Sequence, residues 1–200
     1  MRDTDLDEYK SNYWLAHDIG DFFHFHGPAS YLKDQVLGML FLKRLSDVFD
    51  EELERAQENR LRYEKPSLAP KRMVPGRQQH DGAIFIPERA RWANLSVLKD
   101  RVAEQIHEAC CEIESFNSSL KGLLVQAKFH YLKDKDAQDL VSLFSKYRLR
   151  NEDFESSSSL RDLYNYLIEG FSDPASRQYG ASSFQKSEVE RLLGLQDEEA

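Results

Sequence analysis

Three histidines near the amino terminus form the densest group of side chains that could do chemistry in this sequence of 200 residues. His17 and His24 are seven residues apart and would share one helical face, and His26 follows closely. Metal ligands on a helix favour the i,i+4 spacing and need a third partner, and no HExxH pattern accompanies these histidines. The spacing therefore predicts an ordinary helix end, not a metal site or a metal-dependent enzyme.

The cysteines, glycines and paired carboxylates do not predict catalytic chemistry either. Cys110 and Cys111 are adjacent, so on a helix they point about 100° apart and share no face, which predicts ordinary packing of reduced thiols. The nine glycines stand at least six residues apart, so the glycine-rich turn of a nucleotide or S-adenosylmethionine site is absent. Carboxylate pairs such as Glu51-Glu52 are assigned to solvated faces. We therefore predict no catalytic, cofactor-binding or metal-binding residue.

Cations in the middle of an acidic chain are the more informative feature. The net charge is −8, yet residues 55–101 carry 11 basic and 5 acidic side chains, whereas residues 1–54 carry 5 and 12. Prolines keep much of this stretch out of a helix, and cations on an irregular loop can reach a phosphate backbone. The candidate DNA contacts are Lys71, Arg72, Arg77, Arg89 and Arg91. The alternative is that they form ordinary surface ion pairs, each worth little.

Helical periodicity runs through most of the chain and predicts a mainly α protein, a bundle of five to six helices. The expected helices cover about 8–24, 29–60, 95–116, 136–148, 159–172 and 186–195. The second has two adjoining apolar rows and is the expected central helix, with a solvated charged tail from Asp50 onward. Gly27-Pro28 separates it from the first helix.

These elements predict one helical domain with three parts. Residues 1–62 form the N-terminal helices, residues 63–94 a long proline-containing basic loop, and residues 95–195 the C-terminal helices. The loop is expected to hold at most a short extended segment near 83–86, because Pro87 follows it. Residues 196–200 are an acidic tail.

Composition excludes several classes of protein. Hydrophobic residues make up 40% and charged residues 31% of the chain, a mixture typical of a folded domain. The apolar runs are only a few residues long, against the roughly 20 that cross a bilayer, so no membrane partner is expected. The acidic amino terminus lacks the apolar core of a secretion signal, which predicts a cytoplasmic protein.

Four segments taken together resemble the N-terminal region of type I restriction-modification methyltransferase subunits. They are residues 31–47 (YLKDQVLGMLFLKRLSD), 85–92 (FIPERARW), 117–124 (NSSLKGLL) and 163–171 (LYNYLIEGF). Each string alone is only moderately specific, but all four occur in the family's order and spacing. The resemblance covers about residues 10–195.

The resemblance implies a helical domain that precedes an S-adenosylmethionine-dependent DNA adenine-N6 methyltransferase domain. It also implies assembly with a specificity subunit and other modification subunits. The family's glycine-rich cofactor motif and its Asn/Asp-Pro-Pro-aromatic motif do not occur in these 200 residues, so no catalytic residue carries over and the catalytic domain is absent from them. Where the family has Phe-Tyr/Phe-Thr-Pro, this chain reads Phe184-Gln185-Lys186-Ser187, which departs from the cofactor junction.

Two functions fit these observations. The first is a non-catalytic N-terminal domain that serves subunit assembly and DNA engagement, inactive as a methyltransferase and weak as a DNA binder when alone. The alternative is a stand-alone truncated helical interaction protein that regulates, or docks on, a restriction-modification complex.

Overall fold

The central element is a long helix, α2 (Ala29–Tyr63), against which three of the other four described helices pack. In the computed structural model, residues 3–63, 84–154 and 164–165 are described. Helix α1 (Asp3–His26) precedes α2, and α3 (Trp92–Leu95), α4 (Val102–Phe116) and α5 (Asp134–Phe144) follow. No β-strand occurs in these ranges, so the prediction of a mainly α fold is confirmed.

Helix α2 is buried on several sides, as its two apolar rows predict. Met39, Leu40, Phe41 and Leu42 are all fully buried although they are consecutive. Four successive residues on a helix point in all directions, so this part of α2 must be covered all round. Its neighbours are α1, α3, α5 and a 3₁₀ turn at Val125–Ala127.

The turn between α1 and α2 follows the predicted break. Gly27 has a φ of +134°, a backbone conformation that side chains disfavour, and its N–H donates to Phe23 O at 3.1 Å. Helix α1 also packs against α5. Asp18 Oδ2 on α1 accepts hydrogen bonds from Lys146 Nζ (2.8 Å) and Tyr147 OH (3.0 Å), which lie just after α5. Burial opposes ionisation of Asp18, but these two donors outweigh it and hold the pKa of the carboxyl below its usual value.

The predicted third helix is wrong at its start. It was expected from about residue 95, but α3 ends at Leu95 and α4 begins at Val102. Arg101 adopts a left-handed conformation with a φ of +46°, which a continuous right-handed helix cannot contain. Part of the predicted loop is also helical, because a 3₁₀ turn covers Glu88–Ala90 and α3 follows it.

The predicted fourth helix is shifted towards the amino terminus. It was expected at about 136–148, but α5 covers Asp134–Phe144 and residues 147–150 have no helical structure. The chain then forms a 3₁₀ turn at Asn151–Asp153. The expected helices at 159–172 and 186–195 and the acidic tail lie outside the described residues, apart from Tyr164 and Asn165. Tyr164 is buried, with its ring centroid 6.3 Å from that of Phe41.

The two adjacent cysteines pack as the sequence predicts. Cys110 is buried and Cys111 is exposed, and neither forms a disulfide. Burial raises the pKa of the Cys110 thiol, so the pair packs as ordinary residues.

No helix in the described ranges has an apolar stretch of the length that a bilayer crossing requires.

Helix α2 can approach the α4–α5 connection closely because residue 38 is glycine. A Cβ at Gly38 would overlap the Cβ of Ala127 and lie 3.1 Å from the ring of Phe129. Phe129 is fully buried, so neither neighbour can move aside easily.

We predict that Gly38→Ala lowers the free energy of unfolding by about 1–3 kcal/mol, the usual cost of overpacking a core. Urea denaturation measures this change. The double variant Gly38→Ala/Ala127→Gly removes the overlapping methyl group and should recover part of the loss. A single variant as stable as wild type would contradict the proposed close contact.

Candidate functional site

Of the two predicted DNA-contact cations that lie in the described residues, Arg89 is the exposed one. It lies on the 3₁₀ turn Glu88–Ala90, and its side chain is 85% exposed. Among the described residues, its ion-pair partner is Glu112 of α4, whose Oε1 lies 3.2 Å from Nη2. An exposed pair of this kind is worth little, so the guanidinium can exchange its partner for another anion.

Arg91 packs against other parts of the chain, although it lies only two residues from Arg89. Its guanidinium carbon lies 5.0 Å from the ring centroid of Phe49 on α2, and its Nε donates a long hydrogen bond to Ile86 O at 3.5 Å. The side chain is half-buried. Arg91 therefore joins the segment before α3 to α2. The other three candidates, Lys71, Arg72 and Arg77, lie outside the described residues.

Trp92, the next residue, joins this segment to α2 and to the chain just after α5. Its backbone N–H donates to Ser46 Oγ of α2 at 2.7 Å, and its indole Nε1–H donates to Ser145 Oγ after α5 at 3.1 Å. Lys43 Nζ lies 5.3 Å from the centre of its ring, within the range of a cation–π contact. The turn that carries Arg89 is thus held on a rigid base.

The Asn117 side chain holds the segment that was predicted to be extended near 83–86, at Phe85. Asn117, buried at the end of α4, accepts the N–H of Phe85 through Oδ1 (2.8 Å) and donates Nδ2 to Phe85 O (2.7 Å). The same Nδ2 also donates to Ile113 O at 2.7 Å. The amide therefore satisfies both backbone groups of Phe85, as a neighbouring strand would do.

A network of buried charges on α2 holds the chain after α5. Asp47 forms an ion pair with Lys43 and accepts the N–H of Leu149 at 2.7 Å. Arg44 donates to Leu149 O at 2.6 Å and also to Asn151 Oδ1. Burial lowers the pKa values of Lys43 and Arg44, and the nearby carboxylates oppose this shift.

The network extends one turn further along α2. Glu51 is buried, and its carboxylate accepts the Asn151 N–H (2.8 Å) and pairs with Arg55 (2.7 Å). Glu54 forms a two-pronged ion pair with Arg150. The prediction that the α2 tail is solvated is therefore wrong for Glu51, because the chain after α5 covers it.

Sequence reasoning missed this network, although a signal was present. Lys43 and Asp47 stand four residues apart within the most apolar part of α2. Charged residues rarely occupy such positions unless they are paired, so this spacing predicts a buried ion pair.

The amino-terminal histidines do not come together. His17 lies near Asp18 and Asp21, the one group of three potential metal ligands among the described residues, and Asp18 is already engaged by Lys146 and Tyr147. His26 instead stacks on Phe22, and its Nδ1 lies 2.9 Å from Asp136 Oδ1 of α5. His24 is exposed. His26 therefore serves to dock α1 against α5.

We predict that Asp47→Asn costs about 3–5 kcal/mol of unfolding free energy, because it leaves the buried Lys43 ammonium without its carboxylate partner. Urea denaturation measures the loss. The matched control is Glu104→Gln, which removes a carboxylate from an exposed ion pair with Arg101 and should cost far less than Asp47→Asn. Equal losses in the two variants would show that burial of the network does not matter.

Asp50 gives a pH-dependent prediction: unlike the loss of the Asp47 carboxylate, the loss of the Asp50 carboxylate should stabilise the protein. Burial raises the pKa of this α2 carboxyl, with Asp47 and Glu54 adding to the shift and Arg91 opposing it. Ionising Asp50 is therefore harder in the folded chain, so its contribution to stability is greatest below the ordinary pKa of 3.8 and declines as pH rises through the folded pKa.

Asp50→Asn should accordingly stabilise the protein near pH 7, by less than about 1 kcal/mol because the site is partly solvated. Thermal unfolding of both proteins near pH 7 and near pH 3 tests this, and the difference should vanish at the lower pH. A variant that is less stable than wild type at neutral pH would contradict the inferred desolvation of Asp50.

Comparison with known proteins agrees with the resemblance of the four segments. The family model of the HsdM N-terminal domain matches residues 26–147. No curated protein matches the chain. The matched range includes α2 to α5, the Asn117–Phe85 pairing and the contacts of Trp92. The chain therefore belongs to the HsdM N-terminal domain family, the N-terminal domain of the methyltransferase subunit of type I restriction-modification systems.

Proposed function

We propose that this chain is a non-catalytic domain that positions the other components of a type I DNA adenine-N6 methyltransferase. In this proposal it docks on the specificity subunit and other modification subunits and engages DNA within that assembly, in the cytoplasm. The observation that carries the proposal is the family match over residues 26–147. The methyl donor S-adenosylmethionine would bind to polypeptide other than these 200 residues.

The internal contacts support a positioning role. The polar side chains of α2 are used to hold neighbouring segments, with Ser46 on Trp92, Arg44 and Asp47 on Leu149, and Glu51 on Asn151. Side chains committed in this way make a rigid body, and a rigid body can transmit the orientation of one partner to another. The 200 residues also contain neither a glycine-rich cofactor loop nor an Asn/Asp-Pro-Pro-aromatic motif.

Charge supports weak DNA contact by the isolated chain. Arg89 offers an exposed guanidinium with one loose partner, and Lys71, Arg72 and Arg77 remain candidates. The net charge of −8 repels a polyanion, so these cations act usefully only when a partner adds positive charge. The ion pair of Arg89 with Glu112 would open on contact with a phosphate.

Two measurements on the isolated chain test this proposal. Tagged chain should co-purify with a specificity subunit when the two are co-expressed, and it should transfer no labelled methyl group to DNA. Fluorescence anisotropy with a labelled duplex should give a dissociation constant of roughly micromolar or weaker that rises steeply with salt. Arg89→Gln should weaken this binding slightly, whereas Arg55→Gln, at an exposed cation on α2, should not.

Three outcomes would reject the proposal. Methyl transfer by the chain alone would make it an enzyme, and tight, salt-insensitive DNA binding would make it an independent DNA-binding protein. Failure to bind any subunit of the system would remove the assembly role. Inhibition of an intact restriction-modification system by excess chain that the system does not need would instead favour the stand-alone regulator.

A further inference from the structure

The connection between α4 and α5 is unusually poor in acidic residues for this chain. Residues 115–133 contain Lys121, Lys128, Lys133 and a histidine, and no aspartate or glutamate. The whole chain has 35 acidic residues among 200. An acid-free stretch of this length therefore gives an otherwise acidic protein a local excess of positive charge.

Within the described part of the chain, no acidic residue compensates the charges of these three lysines. All three are exposed, and none forms an ion pair with another residue in the described part of the chain. Elsewhere Lys135 pairs with Asp139 and Lys146 with Asp18. Lys99 is likewise exposed and without an ion pair, but it lies outside the connection.

Acidic side chains that border the connection are held by internal partners. The Glu114 carboxylate accepts three backbone N–H groups, from Gly122 (2.6 Å), Leu124 (2.7 Å) and Val125 (2.8 Å). Asp134 accepts the N–H of Ala103 at 3.2 Å. Neither carboxylate forms an ion pair with any of the three lysines.

The same contacts give the lysines a rigid base. Glu114 fixes the backbone between Gly122 and Val125, Ala127 lies against Gly38, and the ring of Phe129 is fully buried. Lys128 has a left-handed backbone between two 3₁₀ turns, and Lys133 stands directly before α5. A fixed backbone lowers the entropy that binding must remove.

The spacing suits a polyanion. Lys128 and Lys133 are five residues apart, a separation of at most about 17 Å along the chain, and duplex DNA carries one charge for every 1.7 Å or so of its axis. Tyr131 lies between them with 74% of its surface exposed and its ring centroid 4.2 Å from that of His130. A tyrosine hydroxyl can donate a hydrogen bond to a phosphate oxygen.

We propose that the α4–α5 connection is a second DNA-contact surface, in which Lys121, Lys128 and Lys133 bind the phosphate backbone of duplex DNA without reading its sequence. This inference rests on the proposed function, because that function brings DNA to the domain. In the sequence, the connection lies well after both the basic loop and Arg89. Its three lysines add positive charge, which helps the basic loop to overcome the repulsion between DNA and the rest of this acidic chain.

The test replaces all three lysines by glutamine in the 200-residue chain and measures binding to a short labelled duplex by anisotropy over a series of salt concentrations. If each lysine contacts one phosphate, the slope of log K against log salt should become shallower by about 2–3, and the affinity at low salt should fall by roughly tenfold or more. The matched control is Arg55→Gln/Lys146→Gln/Arg148→Gln, which removes the same charge from exposed cations that already form ion pairs. The control should keep the wild-type slope. Circular dichroism and thermal unfolding check that both variants fold.

Several outcomes would overturn the proposal. The proposal is wrong if the lysine variant keeps the wild-type salt slope, or if the control variant loses as much slope and affinity as the lysine variant. It is also wrong if the wild-type chain does not bind the duplex at low salt. If the lysine variant loses co-purification with the specificity subunit while its DNA binding is unchanged, the surface contacts an acidic protein instead. Co-purification separates the two proposals, because subunit binding by a chain that fails the DNA test would leave the assembly role standing.

Discussion

The buried carboxylate of Asp47 is the constraint on which most of the described fold depends. A non-helical segment can be buried only if its N–H and C=O groups find partners, and the chain after α5 has no neighbouring strand to supply them. Asp47 takes the N–H of Leu149, and Arg44 supplies a donor to its carbonyl. Helix α2 therefore carries charge in its most apolar part because it must complete the hydrogen bonding of another segment.

The same solution recurs at two other places. Asn117 satisfies both backbone groups of Phe85, and Ser46 accepts the N–H of Trp92. In each case a polar side chain on or beside a helix replaces the partner strand of a sheet. Three of the four family-like segments, 31–47, 85–92 and 117–124, meet through these contacts. Their resemblance to the family thus lies in residues that join distant parts of this chain.

The distribution of charge follows from this architecture. Many cations of the described residues are used internally, as Arg44 is beneath Leu149 and Arg91 against Phe49. Among the cations that the structure describes, Lys99, Lys121, Lys128 and Lys133 are exposed and form no ion pair, and all four lie between helices. In the proposed function, this arrangement lets an acidic domain contact DNA through a few exposed cations, while the rest of its surface repels the polyanion.

The amino-acid sequence by itself determined the helical class, the central place of α2 and the break at Gly27-Pro28, because these depend on local periodicity and on backbone preferences of single residues. It also carried the family resemblance. Helix boundaries at Arg101 and Phe144 were beyond it, since they depend on a left-handed residue and on hydrogen bonds from α2 to the chain beyond α5.

Tertiary structure alone decided how each charged residue is used. Arg89 and Arg91 look equivalent in sequence, yet one lies in the open beside Glu112 and the other packs on Phe49. Glu51 and Glu52 form one acidic pair in sequence, yet Glu51 is buried and Glu52 exposed. The free energy of a charge depends on the solvent and partners around it, and those partners come from residues tens of positions away along the chain.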